Sequence, residues 1–355
     1  MEKVTVEYEP KTERKLDALR NLPSGLQRQR RKKLRRRRNS RMEFNDFCNE
    51  IRDNIGEYLL GYDYENIQLQ EVTHNNNTTH MGLIISRSNV DISPTIYMEQ
   101  YYKQYQDTGD IDAVMKQIAE SYKGVIENTN DMPVEILGQK NRYFGNCYLK
   151  AVNYERNKAM LKGVPYKRFM DLAVTIRMLV QVTEEGMAST IVTHDQTAKL
   201  GINEIDLFSA ALENTEKLFP VRIQKLEDVI RNLDSFGLAQ EELPDTGIYV
   251  LSNLQMIAGA TSILYAKEQI TELAEEHECG FYIVPSSTNE VLLCPDNDEM
   301  DPEMLQRTAM EVNEYVVSDT EFLSNSIYHF DKDSQEIKME LPDPQIDDRQ
   351  NQRGL

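Results

Sequence analysis

The sequence predicts an α+β protein: mixed sheets and hairpins packed by several amphipathic helices, preceded by a basic, disordered N-terminal tail. Two observations set the class. Segments with apolar residues at steps of three and four are intermixed with short alternating or continuous apolar runs bounded by turn residues. At 355 residues, 40% apolar and 28% charged, the chain can also bury a sizeable core. A third observation sets the layout. Residues 1–41 carry 15 Lys/Arg against five Asp/Glu, a net of +10, whereas the whole chain carries −19, which leaves −29 on residues 42–355. One end can attract polyanions while the body repels them.

The extension, residues 1–41, is interrupted by the turn signal Pro23-Ser24-Gly25. After it come Arg28, Arg30, Arg31, Lys32, Lys33, Arg35, Arg36, Arg37 and Arg38. These charges repel one another and lack an apolar stripe, so the segment is expected to be disordered unless a polyanion neutralises it. Met42 stands where the folded pattern begins, and the extension reads as dispensable to the domain.

An N-terminal α+β unit is expected over residues 42–130. Ser40-Arg-Met-Glu43 has the form of a capping box. Phe44, Phe47, Ile51, Ile55, Tyr58 and Leu59 then give one apolar helical face. Extended runs at 67–73 and 81–86, joined by the polar cluster 74–79, predict a β-hairpin. Ser93-Pro94 reads as an N-cap with Pro at N1, opening a helix to about residue 106. Tyr97, Tyr101 and Tyr105 share one side of it and are read as core, and a helix over 110–127 completes the unit.

Residues 128–138 form a candidate boundary before a C-terminal α+β domain, 139–341. Strands are expected at 143–152, 169–182 and 188–193. Asn203 caps a helix over 204–218 with Ile205, Phe208, Leu212 and Phe219 on one face, and Pro220 ends it. A helix over 223–233 and an acidic loop over 240–245 follow. Next come a strand at 248–252, a segment of undetermined type at 259–265 and a helix at 266–277. Residues 281–284 and 291–294 pair across Pro285-Ser-Ser287. Asp301-Pro302 opens a helix to about 316 with Leu305, Ala309, Val312 and Val316 inward. A hairpin, 326–330 with 336–339, is the last element, and the tail 342–355 is expected to be disordered.

Several chemistries are excluded. The N-terminus has charges where a secretory signal needs an apolar core, and no apolar run approaches the roughly 20 residues that span a bilayer. A cytoplasmic protein without membrane contact is expected. Cys48, Cys147, Cys279 and Cys294 form no C-x-x-C and are read as reduced, buried thiols. Phosphate-cradling loops of G-x-x-x-x-G-K or G-x-G-x-x-G type are absent. His277-Glu278 has Phe281 where a zinc helix needs its second His. The stretch from Asp296 has Asp301 and Arg307 where a calcium loop needs Gly and Glu. No metal or cofactor is expected. Ser286 or Ser287 with His194 and Asp195 would supply a hydrolytic set, but nothing in the sequence brings them together.

From Met42 the chain resembles a Firmicutes family, domain of unknown function 5688. The resemblance is carried by Met42-Glu-Phe-Asn-Asp-Phe47, Ile92-Ser-Pro-Thr-Ile-Tyr97, Asn153-Tyr-Glu-Arg-Asn-Lys158 and Val164-Pro-Tyr-Lys-Arg-Phe-Met-Asp-Leu172. It continues through Ala211-Leu-Glu-Asn-Thr215, Asn253 with Gly259-Ala260, Pro285-Ser-Ser-Thr-Asn-Glu-Val291 and Asp301-Pro302. It covers about residues 42–331. The second half is also distantly similar to domain of unknown function 1444. Neither resemblance implies an activity, a cofactor or a catalytic residue; both imply a cytoplasmic bacterial α+β protein.

Polar residues inside those phrases are the candidate site: Asn153, Arg168, Asp171, Asn214, Asn253, Ser286, Ser287 and Glu290. Each also has a structural reading. Asn214 and Asn253 suit caps or turns, Arg168 and Asp171 a surface pair, and Ser286-Ser287 a loop. The expected function is a non-enzymatic interaction or adaptor protein whose acidic body meets a protein partner. One alternative is a nucleic-acid-associated protein tethered by residues 28–38, with salt-sensitive binding. Another is a hydrolase or transferase with an unrecognised site, which requires a pocket lined by several of the candidates. The acidic body argues against DNA wrapping by the core.

Overall fold

The computed structural model describes residues 4–10, 41–62, 64–87, 92–129, 139–182, 186–233, 245–255, 257–297 and 300–344. The chain opens with strand β1 (Val4–Pro10). Helix α1 (Phe44–Asn54) follows, and then strands β2 (Asn66–Thr73), β3 (Thr79–Ser86) and β4 (Ile92–Tyr97). Helices α2 (Met98–Thr108) and α3 (Ile111–Thr129) pack on these strands. Their shared core holds Phe47, Ile51, Leu83, Tyr101, Ile118 and Tyr122. Tyr101 and Tyr105 are buried, as their spacing predicts.

The next stretch contains helix α4 (Lys140–Asn146), strand β5 (Cys147–Asn153), the pair β6 (Tyr166–Phe169) and β7 (Leu172–Val182), and strand β8 (Gly186–Ile191). Helices α5 (His194–Leu200) and α6 (Glu204–Leu218) cover it. Strand β9 (Val221–Lys225), helix α7 (Leu226–Leu233) and strand β10 (Tyr249–Asn253) lead to a 3₁₀ turn at Gly259–Leu264 and helix α8 (Lys267–Glu276). Strands β11 (Phe281–Val284) and β12 (Val291–Pro295), helix α9 (Pro302–Tyr315) and the hairpin β13 (Ile327–Asp331) and β14 (Glu336–Leu341) complete the chain.

The class is α+β, with an eight-stranded sheet in the order β2-β3-β4-β1-β8-β7-β5, β6 also pairing with β7, and a six-stranded sheet in the order β14-β13-β11-β12-β10-β9. Ala151 of β5 and Leu172 of β7 enter the core built on the second sheet and α8, so the two sheets share packing.

Several expectations are corrected. Residues 4–10, assigned to the disordered extension, form β1, which lies parallel to β4 and antiparallel to β8 and joins the two halves of the larger sheet. Residues 1–3 and 11–40 of the extension, including 28–38, lie outside the described residues, as do residues 130–138 of the boundary expected at 128–138, residues 240–244 of the loop expected at 240–245, and the tail from 345. Within that tail region Asp343 is buried. Helix α1 starts at Glu43 without a side-chain cap, so Ser40-Arg-Met-Glu43 is not its capping box. Ser93 and Pro94 belong to β4, not to a helix start. Pro94 sits opposite Val6, while β3 pairs only from Thr95 onward, so its missing N–H costs no β3–β4 ladder bond.

Residues 143–146, expected to begin a strand, are helical, and Asn214 Nδ2 reaches the carbonyls of Phe144 (2.8 Å) and Cys147 (3.0 Å) at the helix end. Residues 223–225, expected to start a helix, belong to strand β9, fixed by its pairing along β10, and the helix begins at Leu226. Helix α6 has the expected bounds and Asn203 cap, but Leu207, Phe208, Ala211 and Thr215 face inward, while Ile205 (71%) and Leu212 (39%) are exposed. Thr215 Oγ1 accepts the Leu149 N–H of β5 (2.8 Å), which sets the helix rotation. In α9 the polar Asn313 is buried, donating to Asn325 Oδ1 (3.0 Å), and Val312 is turned out.

Candidate functional site

Four of the eight candidates meet at one place, a buried polar junction around residues 318–326 between α9 and β13. Asn153 ends β5 and donates through Nδ2 to the Leu323 carbonyl (2.8 Å), while its Oδ1 accepts the Arg156 N–H (2.8 Å). Asp171, at the β6–β7 turn after the left-handed Met170, accepts three hydroxyl hydrogen bonds. The donors are Ser324 (2.5 Å), Ser326 (3.0 Å) and Tyr328 (2.5 Å). Burial, reinforced by the adjacent Asp171 carboxylate, pushes the Tyr328 phenol well above its ordinary value, so it stays a donor. The Ser286 carbonyl accepts the Leu323 N–H (3.0 Å), and Ser287 forms an isolated bridge with Phe322. The Ser287 hydroxyl accepts the Asn289 N–H (3.0 Å).

The N-terminal unit reaches the same junction. The 3₁₀ turn Asn75–Asn77 places Asn76 and Asn77 in the left-handed region, which Asn tolerates better than most residues. Asn75 Nδ2 donates to the Thr320 carbonyl (2.7 Å), and Asn76 Nδ2 donates to those of Asp319 (2.8 Å) and Phe322 (2.6 Å). Asn157 Oδ1 accepts the Asn76 N–H (2.9 Å). The Arg156 guanidinium lies over the Phe322 ring, 3.8 Å from its centroid. Unpaired peptide groups in a buried loop are costly, and these side chains supply their partners. The junction thereby fastens segments around residues 75–77, 153–171 and 286–289 to the loop over 319–326.

The other candidates lie elsewhere. Arg168 does not pair with Asp171; it donates to the Met170 carbonyl (2.8 Å) and covers the Tyr154 ring at 3.5 Å. Asn214 holds the end of α4, as above. Asn253 Nδ2 donates to the Ile257 carbonyl (2.9 Å) and its Oδ1 accepts the Gln255 N–H (3.0 Å), a turn closure. Glu290 is half-buried on the β11–β12 loop. His194 pairs with Glu204 (2.7 Å), not with Ser286 or Ser287. Asp296 lies against His329 (2.8 Å).

A separate concavity, about 550 Å³, lies between strand β9 and helix α8. Val221, Ile223, Tyr249 and Leu273 give it an apolar floor. Asp228, Glu272 and Glu276 stand on its rim with Lys225. Lys225 Nζ is 2.7 Å from Asp245, and that partner holds the ammonium above its ordinary value. Asp228 pairs with Arg231 (3.1 Å). At the far end Tyr249 Oη lies 2.7 Å from His277 Nε2. None of the eight candidates lines this groove. Sequence reasoning missed it because its walls, β9 and α8, become neighbours only through sheet order. Alternation in β9 and the helical spacing of Gln269, Glu272 and Glu276 were the available signals.

Among the described residues, no group of three or more His, Cys, Asp or Glu is placed to hold a metal ion, and no helix is long and apolar enough to cross a membrane. The chain belongs to a family of unknown function (DUF5688), matched over residues 44–332. No curated protein and no solved structure matches it.

Proposed function

We propose that this family member is a non-enzymatic interaction protein that holds a protein partner against its acidic body. The observation that carries the reading is the groove between β9 and α8: an apolar floor, a carboxylate rim and an accessible position at the end of a sheet. The candidates expected to do chemistry supply support of a different kind. Asn153, Asp171, Asn214, Asn253 and Ser287 each spend their polar atoms on the fold. Isolation of the tagged full chain from its native cell under mild, low-salt conditions is expected to recover one stoichiometric protein partner, released as salt rises. A strictly monomeric protein that retains nothing after cross-linking overturns the reading.

The charge split favours a second reading, nucleic-acid association through residues 28–38. Deletion of residues 1–41 is a poor test because it also removes β1 from the sheet. Replacing the nine Lys and Arg of residues 28–38 with Ser leaves β1 in place. On this reading the substitution abolishes salt-sensitive oligonucleotide binding, and unchanged binding sinks it.

A further inference from the structure

We infer that one face of the β5–β7–β6 part of the larger sheet binds a short single-stranded nucleic acid, separately from both the β9–α8 groove and residues 28–38. The charge of this region runs against the rest of the body. From Lys150 to Arg168 the chain holds six Lys or Arg against one carboxylate, Glu155, a local net of +5 on a chain of −19. Clustered cations of this kind neutralise phosphates and release their counterions.

Register places the side chains. Lys150, Thr175 and Tyr166 stand in one row across β5, β7 and β6, and Val152, Ala173 and Arg168 in the next row but one. Directly opposite residues share a face, so Lys150, Tyr166 and Arg168 lie on one side of the sheet. The segment after β5 folds over that side, where Tyr154, Met160 and Leu161 pack with Val152, Val164 and Ala173. The Tyr154 ring is 6.0 Å from that of Tyr166 and lies under the Arg168 guanidinium at 3.5 Å. Lys158 Nζ is 5.4 Å from the same ring and 2.6 Å from Glu155, so the one carboxylate of this stretch is paired. Arg168 and Lys162, on the 3₁₀ turn Met160–Lys162, are exposed and have no ion-pair partner among the described residues. Lys167 takes the opposite face of β6, 4.8 Å from the Phe208 ring of α6.

This arrangement selects the ligand. Surface cations alone attract any anion. A guanidinium laid on one tyrosine, beside a second tyrosine that is 37% exposed, adds flat π surface to the charge. Bases stack on such planes with little regard to sequence, while their phosphates follow the neighbouring cations. The carboxylates of an acidic protein would use the charge and leave the ring faces unused. The bound strand is short because the body beyond the patch carries the opposite sign.

The test is fluorescence anisotropy with a short labelled oligothymidylate, an abasic oligomer of equal length and an oligoglutamate. The chain is full length, with the nine Lys and Arg of residues 28–38 replaced by Ser to separate the surface from the tail. It is expected to bind oligothymidylate, more weakly as salt rises. Arg168→Gln should weaken that binding by about tenfold, and Lys167→Gln, the same charge change on the other face, by less than about twofold. Tyr166→Ala should weaken oligothymidylate by about fivefold or more and leave the abasic oligomer unchanged. Tyr166→Phe should retain full binding, because the ring is what stacks, and this variant separates a lost ring from a disturbed surface. If the tail-substituted chain fails to bind while the wild-type chain binds, residues 28–38 hold all the affinity and the surface assignment falls. Absence of binding by both chains overturns both nucleic-acid readings. Equal losses from Lys167→Gln and Arg168→Gln, or an equal effect of Tyr166→Ala on the abasic oligomer, also overturn the surface. Oligoglutamate bound as tightly as oligothymidylate overturns it in favour of an acidic protein partner. The groove reading is untouched by these results, since none of the substituted residues lines the groove.

Discussion

Asp171→Ala is the sharpest probe of the polar junction. The carboxylate accepts hydrogen bonds from Ser324, Ser326 and Tyr328, each of which is 0% exposed. Truncation orphans three buried hydroxyl donors at once. Each unsatisfied buried donor costs about 1–3 kcal/mol, and the small serine hydroxyls can rotate to recover part of it. The expected loss is therefore about 3–5 kcal/mol, read as a shift in urea unfolding followed by circular dichroism. Tyr328→Phe removes one of the donors. In the double variant it should restore about 1 kcal/mol relative to Asp171→Ala alone, because one orphan has gone. A loss below about 1 kcal/mol for Asp171→Ala, or simple addition of the two single losses, would refute the claim that Asp171 acts chiefly as a buried acceptor.

Gly259→Ala places a Cβ into the Asn289 carbonyl and the Ser252 hydroxyl, which are hydrogen-bonded to each other at 2.6 Å. It should cost about 2–4 kcal/mol in the same assay, and unchanged stability contradicts the packing. Gln335, at φ 53° in the β13–β14 turn, should gain about 0.5–1 kcal/mol on change to Gly; a loss measured by denaturation counts against that strain. Burial pushes the thiols of Cys48 and Cys294 up to about 12 and that of Cys147 up to about 11, whereas Cys279 is only half-buried. Mass spectrometry after brief alkylation of the native protein should find label on Cys279 first, and early label on the other three contradicts their burial. Burial raises the Glu204 carboxyl, but hydrogen bonds from His194 and Thr197 outweigh it and hold the group below the usual carboxylate range. Its stabilisation is present above the unfolded value and lost as pH falls through the folded one. Glu204→Gln should therefore be less stable at neutral pH, with the gap closing on acidification; a gap independent of pH contradicts this.

Elements whose partners are close in sequence were legible. The hairpins β2–β3 and β13–β14 follow from alternating runs, and β11–β12 from two continuous apolar runs, around polar turns; the α6 and α9 starts follow from Asn203 and Asp301. Misreadings occur where a distant partner decides. Ile223, Leu226 and Ile230 have the three- and four-residue steps of a helix while Val221 and Ile223 alternate, and pairing with β10 selects the strand for residues 221–225. The rotations of α6 and α9 follow Thr215 and Asn313, whose buried hydrogen bonds outweigh the exposure of Ile205 and Val312. Strand β1 carried a visible signal, since Val4, Val6 and Tyr8 alternate with Thr5, Glu7 and Glu9. The net charge of the surrounding extension masked it.

The phrases that mark the family contain a relation the linear sequence hides. Asn153 with Asn157, and Pro285 through Asn289, are far apart along the chain. Both close on residues 321–324: Asn153 through the Leu323 carbonyl, Pro285 and Ser286 through the N–H groups of Ser324 and Leu323, and Asn289 through Glu321. Asn76 reaches the same loop across 246 positions. A loop that crosses the interior must find a partner for every peptide group, and short amides and hydroxyls are the side chains that can supply them without filling the space. Runs of Asn and Ser in these phrases therefore follow from the cost of burying backbone and do not require a reaction.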